Sequence, residues 1–173
     1  MTDGRVVWLT GLSGAGKTTV ATRLAELLTA EGTRPVLLDG DRIRAALPAP
    51  TGYSAAERRA LAASYGRFAL DFAHQGHLVL CATISLFHDV QQWNRSHLPG
   101  YLEVLLRVPE EELAARNSKG LYSPAGRAVQ VTGVDLAAEF PTAPDLVIDN
   151  SAGTTVDSAA ERILHALQRR ELP

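Results

Sequence analysis

The sequence predicts a three-layer α/β fold, in which a parallel five-stranded sheet carries helices on both faces. Short apolar runs rich in β-branched residues alternate along the chain with segments of helical periodicity, and this alternation favours parallel strands joined by helices. The chain has 173 residues, 46% hydrophobic and 21% charged, which are ordinary values for one globular domain. We therefore expect residues 1–173 to form a single domain.

The N-terminal half begins with a buried strand, followed by an amphipathic helix, a second strand and a long helix. The first helix has Val and Leu at helical spacing and ends before Gly32. The long helix opens with the capping box Ser54-Ala-Ala-Glu57 and ends before Gly76. In chain order, the predicted elements are Arg5–Thr10, Lys17–Glu31, Pro35–Asp39 and Ser54–Gln75.

The C-terminal half supplies three further strands and three helices. Residues 117–144 lack periodicity and are rich in Gly and Pro, and a loop of this length inside a compact domain is usually functional. We interpret it as a lid. The predicted elements around it are Leu78–Thr83, Val90–His97, Tyr101–Leu106, Glu110–Ala115, Leu146–Asp149 and Val156–Arg170.

Composition narrows the class of partner. The net charge is −2, which does not suggest a nucleic-acid polymer or a membrane surface as a partner. Cys81 is the only cysteine, which excludes an internal disulfide framework and a cysteine-based zinc site. The N-terminus lacks the pattern of a secretory signal, so we expect a cytoplasmic protein.

The segment Gly11-Leu-Ser-Gly-Ala-Gly-Lys-Thr18 fits the phosphate-binding pattern G-x-x-x-x-G-K-[ST] and lies between a predicted strand and a predicted helix. Backbone N–H groups in such a loop wrap a phosphate, Lys17 reaches the β- and γ-phosphates, and the Thr18 hydroxyl can bind Mg²⁺. The motif predicts a P-loop NTPase fold that binds a nucleoside triphosphate with magnesium. The predicted contacts are Gly11, Ser13, Gly14, Ala15, Gly16, Lys17, Thr18 and Thr19.

Asp39-Gly40-Asp41 follows the second predicted strand, at the sheet edge that faces the ligand crevice. Asp39 can act through Mg²⁺ or its waters, and Asp41 can accept a proton from an attacking hydroxyl. A solvated turn that caps a helix is the simpler alternative. Arg44 lies one helical turn beyond Asp41, where it can hold an anionic acceptor.

Further motifs follow in the order typical of adenylylsulfate (APS) kinases, and nearly the whole chain resembles that family. The resemblance implies transfer of the γ-phosphoryl group of ATP to the ribose 3′-hydroxyl of adenylylsulfate. It also implies a homodimer. The D-G-D-x-x-R, K-G-L-Y and T-G-[IV]-D set is the most specific part. The motifs that carry the resemblance are Leu38-Asp-Gly-Asp-Arg-Ile-Arg44, Thr51-Gly-Tyr-Ser54, Thr83-Ile-Ser-Leu-Phe87, Lys119-Gly-Leu-Tyr122, Val131-Thr-Gly-Val-Asp135 and Pro144-Asp-Leu-Val-Ile-Asp149.

The resemblance also assigns roles to residues. It makes Asp41 the base and Lys17 and Lys119 catalytic, and it places Arg116 against the ATP base. The acceptor-binding residues that it implies are Asp41, Arg44, Tyr53, Arg58, Ile84, Ser85, Leu86, Phe87, Lys119 and Val131.

Departures from the family pattern cluster on the acceptor side. Val131 replaces a phenylalanine that stacks on the acceptor adenine, Leu61 replaces an acceptor-contacting asparagine, and the K-K-A-R run after K-G-L-Y is missing. The acceptor is therefore either adenylylsulfate or another nucleotide or nucleoside, as in the branch that includes cytidine diphosphoramidate kinase and kinases of nucleoside natural products. A non-catalytic nucleotide-binding module is a further alternative, and a sugar or shikimate-like acceptor is disfavoured by the same motif set.

Overall fold

The computed structural model describes residues 4–47, 54–116 and 137–170. Within these ranges the chain forms five strands and six helices, which confirms the expected α/β architecture. In chain order they are β1 (Arg5–Thr10), α1 (Lys17–Ala30), β2 (Val36–Asp39), α2 (Gly40–Ala46), α3 (Ala55–His74), β3 (Leu78–Ala82), α4 (His88–His97), β4 (Leu102–Arg107), α5 (Glu110–Arg116), β5 (Leu146–Asp149) and α6 (Val156–Arg169).

The sheet is parallel throughout and has the strand order β2-β3-β1-β4-β5. Strand β1 lies at its centre, with Val7 opposite Leu80 of β3 and opposite Leu102 of β4. The chain leaves β1 for one half of the sheet and later crosses to the other half. The loop after β1 therefore opens into the crevice that such a change of direction creates at the carboxyl edge.

Side chains alternate between the two faces of β1 and divide the core in two. Val7 and Leu9 pack against α1 and α6, in a cluster that includes Leu24 and Ile163. Val6 and Trp8 pack on the opposite face, in a cluster to which α3 contributes Leu61, Tyr65 and Ala69. Trp8 is fully buried. Helices thus cover both faces of the sheet, as predicted.

Helix α2 is the element that the sequence reasoning did not predict. It is seven residues long, and a glycine occupies its first position, so the segment resembles a turn. The side chain of Asp39 caps it by accepting hydrogen bonds from the backbone N–H groups of Asp41 and Arg42. The other elements agree with the predicted bounds to within two residues.

A buried carboxylate lies near the opposite, amino edge of the sheet. Glu103 in β4 is 2% exposed, and it accepts hydrogen bonds from Arg95 Nη2 (2.9 Å) and Tyr101 Oη (3.0 Å). The backbone N–H of Glu103 donates to Asp145 Oδ2 at 2.8 Å. Burial alone would raise the pKa of Asp145, but this bond and the nearby arginines hold it below its usual range. The cluster joins α4, β4 and the start of β5.

None of the helices in the described ranges is long and apolar enough to cross a membrane.

Candidate active site

The phosphate-binding motif forms the connection from β1 to α1. Gly11, Gly14 and Gly16 have φ of +149°, +80° and +88°, a region that L side chains rarely adopt. Space is equally restrictive, since a Cβ on Gly11 would lie 2.4 Å from the carbonyl oxygen of Leu106. Gly16 is the N-cap of α1 and offers no side-chain cap. The first N–H groups of the helix are therefore suited to hold an anion.

The remaining loop residues lie where the motif predicts them. Lys17 Nζ donates to the carbonyl oxygen of Leu12 at 2.7 Å, so the ammonium group folds back over the loop. Thr18 and Thr19 are exposed at the start of α1, whereas Ser13 and Ala15 are buried. An Ala15 or Ser13 contact to a nucleotide would therefore use the backbone. These nucleotide contacts stay predictions.

Asn150, which the sequence reasoning missed, supports this loop from β5. It is 7% exposed, and its Nδ2 donates to the carbonyl oxygen of Ala15 at 2.8 Å. The backbone carbonyl oxygen of Asn150 accepts a hydrogen bond from Arg116 Nη2, also at 2.8 Å. One chain of hydrogen bonds thus links the arginine expected at the ATP base to the phosphate loop. Asn150 directly follows β5, so its place at the carboxyl edge is the signal that could have found it.

Thr18 and Asp39 connect the phosphate loop to β2. Thr18 Oγ1 donates to Asp39 Oδ2 at 2.5 Å, while Asp39 Oδ1 accepts from the N–H groups of Asp41 (3.1 Å) and Arg42 (3.0 Å). Because Asp39 is only 5% exposed, these hydrogen bonds stabilise its carboxylate in place of water. The capping role of Asp39 is confirmed, and its role at a metal stays a prediction.

The Thr18–Asp39 pair fits magnesium by its chemistry. Both donors are oxygens, and Mg²⁺ is usually held by one or two protein groups together with substrate phosphates and water. In the described ranges there is no group of three or more His, Cys, Asp or Glu that could hold a metal without a substrate. A metal held by Thr18 and Asp39 would take its other ligands from substrate phosphates and water.

Asp41 is exposed in the first turn of α2, and Arg44 is half-buried one turn later. The start of this helix is fixed by Tyr65 of α3, whose hydroxyl donates to the carbonyl oxygen of Gly40 at 3.0 Å. Burial raises the pKa of Tyr65 to about 12, and the charge of Arg44 opposes the rise. The phenol therefore stays protonated and keeps this bond at any physiological pH. Tyr65, which the sequence reasoning missed, thus supports the start of the helix that carries Asp41 and Arg44.

Residues 83–87, which we call the acceptor loop, follow β3 at the same edge. Thr10 Oγ1 donates to the carbonyl oxygen of Ile84 at 2.5 Å, and the hydroxyls of Thr83 and Ser85 lie 2.8 Å apart. Ser85 has φ +29°, and it is the only residue other than glycine with a positive φ in the described ranges. Such strain concentrates at functional sites, where surrounding contacts hold it in place.

The acceptor loop does not present all of its side chains to the crevice. Ile84 is half-buried, and Ser85, Leu86 and Phe87 are buried. The side chain of Leu86 is 0% exposed and belongs to the core beneath the sheet edge. A contact from Leu86 to an acceptor would therefore use its backbone, and its assignment as an acceptor-binding residue stays a prediction.

The other predicted acceptor residues divide into two groups. Arg58 is half-buried in the first turn of α3. Tyr53, Lys119 and Val131, together with most of the predicted lid at 117–144, lie outside the described residues. The structure therefore brings together the phosphate loop, Asp39, Asp41, Arg44 and the acceptor loop along one edge of the sheet.

Comparison with known proteins places this geometry in context. Residues 3–149 match the family described as adenylylsulphate kinase. The chain is 41% identical over 172 residues to an adenylyl-sulfate kinase of Vibrio cholerae, which covers 96% of this chain and 79% of that protein. It is 36% identical over 167 residues to the cytidine diphosphoramidate kinase of Campylobacter jejuni, with 94% of this chain and 95% of that protein covered.

The APS kinase CysC of Mycobacterium tuberculosis, solved in complex with AMPPNP and APS, superposes with a TM-score of 0.88 at 31% identity, covering 97% of this chain and 99% of that one. The chain spans only 27% of the length of the bifunctional enzyme NodQ of Azospirillum brasilense.

Proposed function

Because the chain belongs to the adenylylsulphate kinase family, we propose that it transfers the γ-phosphoryl group of ATP to a ribose hydroxyl of a nucleotide-like acceptor. Its relatives are phosphotransferases that act on a hydroxyl group. The observation that supports the proposal most is the 2.5 Å bond between Thr18 and Asp39. It holds the phosphate loop against the end of β2, and Asp41 lies only two residues beyond Asp39.

The phosphate loop and α1 bind the triphosphate in this proposal. Backbone N–H groups and the positive end of the helix dipole hold the phosphate oxygens, and Lys17 turns from Leu12 toward the β- and γ-phosphates. Thr18 and Asp39 would hold a magnesium ion, which would neutralise charge at the same phosphates. Because Thr18 gives its proton to Asp39, the lone pairs of its oxygen stay available for a cation.

Asp41 is the general base for the acceptor hydroxyl in this proposal. The hydroxyl oxygen attacks the γ-phosphorus in line, the bond from that phosphorus to the bridging oxygen breaks, and ADP leaves with the bonding electrons. The hydroxyl proton passes to the Asp41 carboxylate, whose exposure leaves it open to an incoming acceptor. Arg44 and Arg58 hold the anionic group of the acceptor, and positioning provides most of the acceleration.

The identity of the acceptor is the finer part of the proposal. Leu61, at the position where the family has an acceptor-contacting asparagine, is 7% exposed and packs in the core with Tyr65. No amide reaches the acceptor from this position, which supports a nucleotide other than adenylylsulfate, such as a cytidine diphosphoramidate or a nucleoside. Adenylylsulfate itself is the alternative. Tyr53, Lys119 and Val131 keep the roles expected from the resemblance, and a homodimer remains part of the proposal.

Coupled ADP release tests the function directly. Purified protein is given MgATP with adenylylsulfate, CDP-type nucleotides or free nucleosides, and the phosphorylated product is located by ³¹P NMR. We expect acceptor-dependent ADP release with one of these classes and none from Lys17→Met. If ATP raises the melting temperature but no acceptor gives product, the chain is a nucleotide-binding module and the kinase proposal is wrong.

A further inference from the structure

A short stretch at residues 137–140 lies against the acceptor loop and the start of α4. The backbone N–H of Glu139 donates to the carbonyl oxygen of Leu86 at 3.1 Å, and Gln91 Nε2 donates to the carbonyl oxygen of Glu139 at 2.7 Å. His88 Nε2 lies 2.9 Å from the carbonyl oxygen of Phe140. Three separate bonds thus fasten these residues to the loop and the helix.

The carboxylate of Glu139 also caps the N-terminus of α4. Phe87 is the N-cap of this helix and offers no side-chain hydrogen bond, because its side chain is apolar. Glu139 Oε2 accepts from the backbone N–H of His88 at 2.6 Å instead. A carboxylate at a helix N-terminus is stabilised by the helix dipole. A residue far along the sequence therefore supplies the cap that the acceptor loop lacks.

Arg59 joins this carboxylate to the rest of the site. Its guanidinium lies 2.5 Å from Asp89 Oδ1 and 3.3 Å from Glu139 Oε1, and its Cζ lies 4.7 Å from the centre of the Phe87 ring. One side chain from α3 thus contacts the acceptor loop, the first turn of α4 and residues 137–140. Since two carboxylates already share its charge, Arg59 is poorly placed to hold an anionic acceptor itself.

The acceptor loop is where such support has an effect. Ser85 holds a strained φ of +29°, and a strained residue persists only when its surroundings over-determine it. Thr10 holds the loop from β1 through the carbonyl oxygen of Ile84. From the other side the backbone N–H of Glu139 bonds Leu86, its carboxylate bonds the N–H of His88, and Arg59 lies over the Phe87 ring. If the second support is lost, the loop can relax while the phosphate loop keeps its own contacts.

We propose that Arg59 and Glu139 are positioning residues for acceptor binding: the pair holds residues 84–87 in the conformation that receives the acceptor, and the nucleotide side does not depend on it. This inference rests on the proposed kinase function. Arg59 is 42% exposed in its side chain, and an ion pair at such a site contributes little to global stability. Acceptor affinity and overall stability are therefore separable in an experiment.

Arg59→Met and Glu139→Gln test the pair, and Arg23→Met is a matched control. Arg23 also joins two carboxylates, Glu26 at 2.9 Å and Asp157 at 2.5 Å, but it links α1 to α6 away from the acceptor loop. Steady-state kinetics measure the KM of the active acceptor and the KM of ATP for each variant. We expect the acceptor KM to rise about tenfold in both variants, with the ATP KM within about twofold of wild type.

Two further readouts separate positioning from a general structural role. The rise in acceptor KM in the double variant should be smaller than the product of the two single-variant rises, because both single variants remove the Arg59–Glu139 contact. Arg59→Lys keeps the positive charge but not the planar guanidinium group, so it should recover part of the acceptor affinity that Arg59→Met loses. Equal rises in both KM values, the same result from Arg23→Met, or an unchanged acceptor KM would each overturn the inference.

The inference can fail separately from the proposed function. Hydrogen exchange of the backbone amides at 86–91 does not need turnover. We expect exchange there to become faster in Arg59→Met and Glu139→Gln, with no change in α1. If no acceptor is phosphorylated by the wild-type protein, the proposed function has failed. If exchange at 86–91 is unchanged in the variants, the inference about the pair has failed.

Discussion

The hydroxyl of Thr18 donates a hydrogen bond of 2.5 Å to the carboxylate of Asp39. This bond joins the first turn of α1 to the end of β2, and in the sheet β3 separates β2 from β1, the strand that precedes α1. The other oxygen of Asp39 caps α2 and so carries Asp41. One buried carboxylate therefore couples the place where phosphate and magnesium are expected to the residue expected to meet the acceptor.

Asp39→Asn should lower kcat by about a hundredfold or more, since it removes one of two groups expected at the metal and a full negative charge. The amide keeps an oxygen that can cap α2, so the fold should survive. A magnesium titration of the rate checks this, and we expect a higher metal requirement in the variant. An unchanged magnesium dependence would show that Asp39 serves α2 alone.

Asn150→Asp should weaken ATP binding, because the carboxylate has nearly the same shape but cannot donate to the carbonyl oxygen of Ala15. It also places a negative charge beside the loop that binds phosphates. We expect a rise in ATP Kd of about tenfold or more, on the basis of a lost hydrogen bond worth about 1 kcal/mol and the added repulsion. Isothermal titration with ATP measures this, and Gln75→Glu on the surface is the control. Equal affinities in both variants would contradict the role given to Asn150.

Tyr65→Phe should make the protein less sensitive to alkaline unfolding. The pKa of Tyr65 is raised to about 12, above its ordinary value of about 10. The unfolded chain therefore loses this proton first as pH rises. The stability that depends on the protonated phenol is fully present below about pH 10 and is lost between about pH 10 and 12.

Urea unfolding at pH 8 and pH 11 measures that difference. The variant should be about 1 kcal/mol less stable at pH 8, where it lacks the bond to Gly40. Its further loss between the two pH values should be smaller than that of the wild-type protein. An identical pH dependence in the two proteins would show that Tyr65 does not titrate in this way.

Arg95→Met should destabilise the fold without changing the kinetics of the folded protein. It leaves the buried Glu103 carboxylate with Tyr101 as its remaining side-chain donor in the described ranges. Because Arg95 is 43% exposed, we expect a loss of about 1–3 kcal/mol, below the value for a fully buried pair. Urea unfolding measures the loss, and Arg95→Met/Glu103→Gln should recover part of it. A changed KM at temperatures where the variant is folded would contradict a purely structural role.

The sequence was informative where a feature is local. Apolar runs predicted all five strands, and the glycine spacing of 11–18 predicted the phosphate loop. It did not indicate contacts between residues that are far apart in the chain. Asn150 lies 135 positions from Ala15, and Glu139 lies 80 positions from Arg59. Leu86 shows a third limit, since a motif names a residue but does not say which way its side chain points. In the acceptor loop the side chain of Leu86 packs in the hydrophobic core.

Asp41→Asn tests the central claim most directly. Transfer of ³²P from γ-labelled ATP to the active acceptor is measured for the wild-type protein, for Asp41→Asn and for Asp71→Asn, an exposed carboxylate near the end of α3. If Asp41 accepts the hydroxyl proton, its amide should reduce kcat by about 10²–10⁴-fold while ATP binding stays unchanged, and the control should match the wild type. Turnover of Asp41→Asn within a few-fold of the wild-type rate would contradict the account.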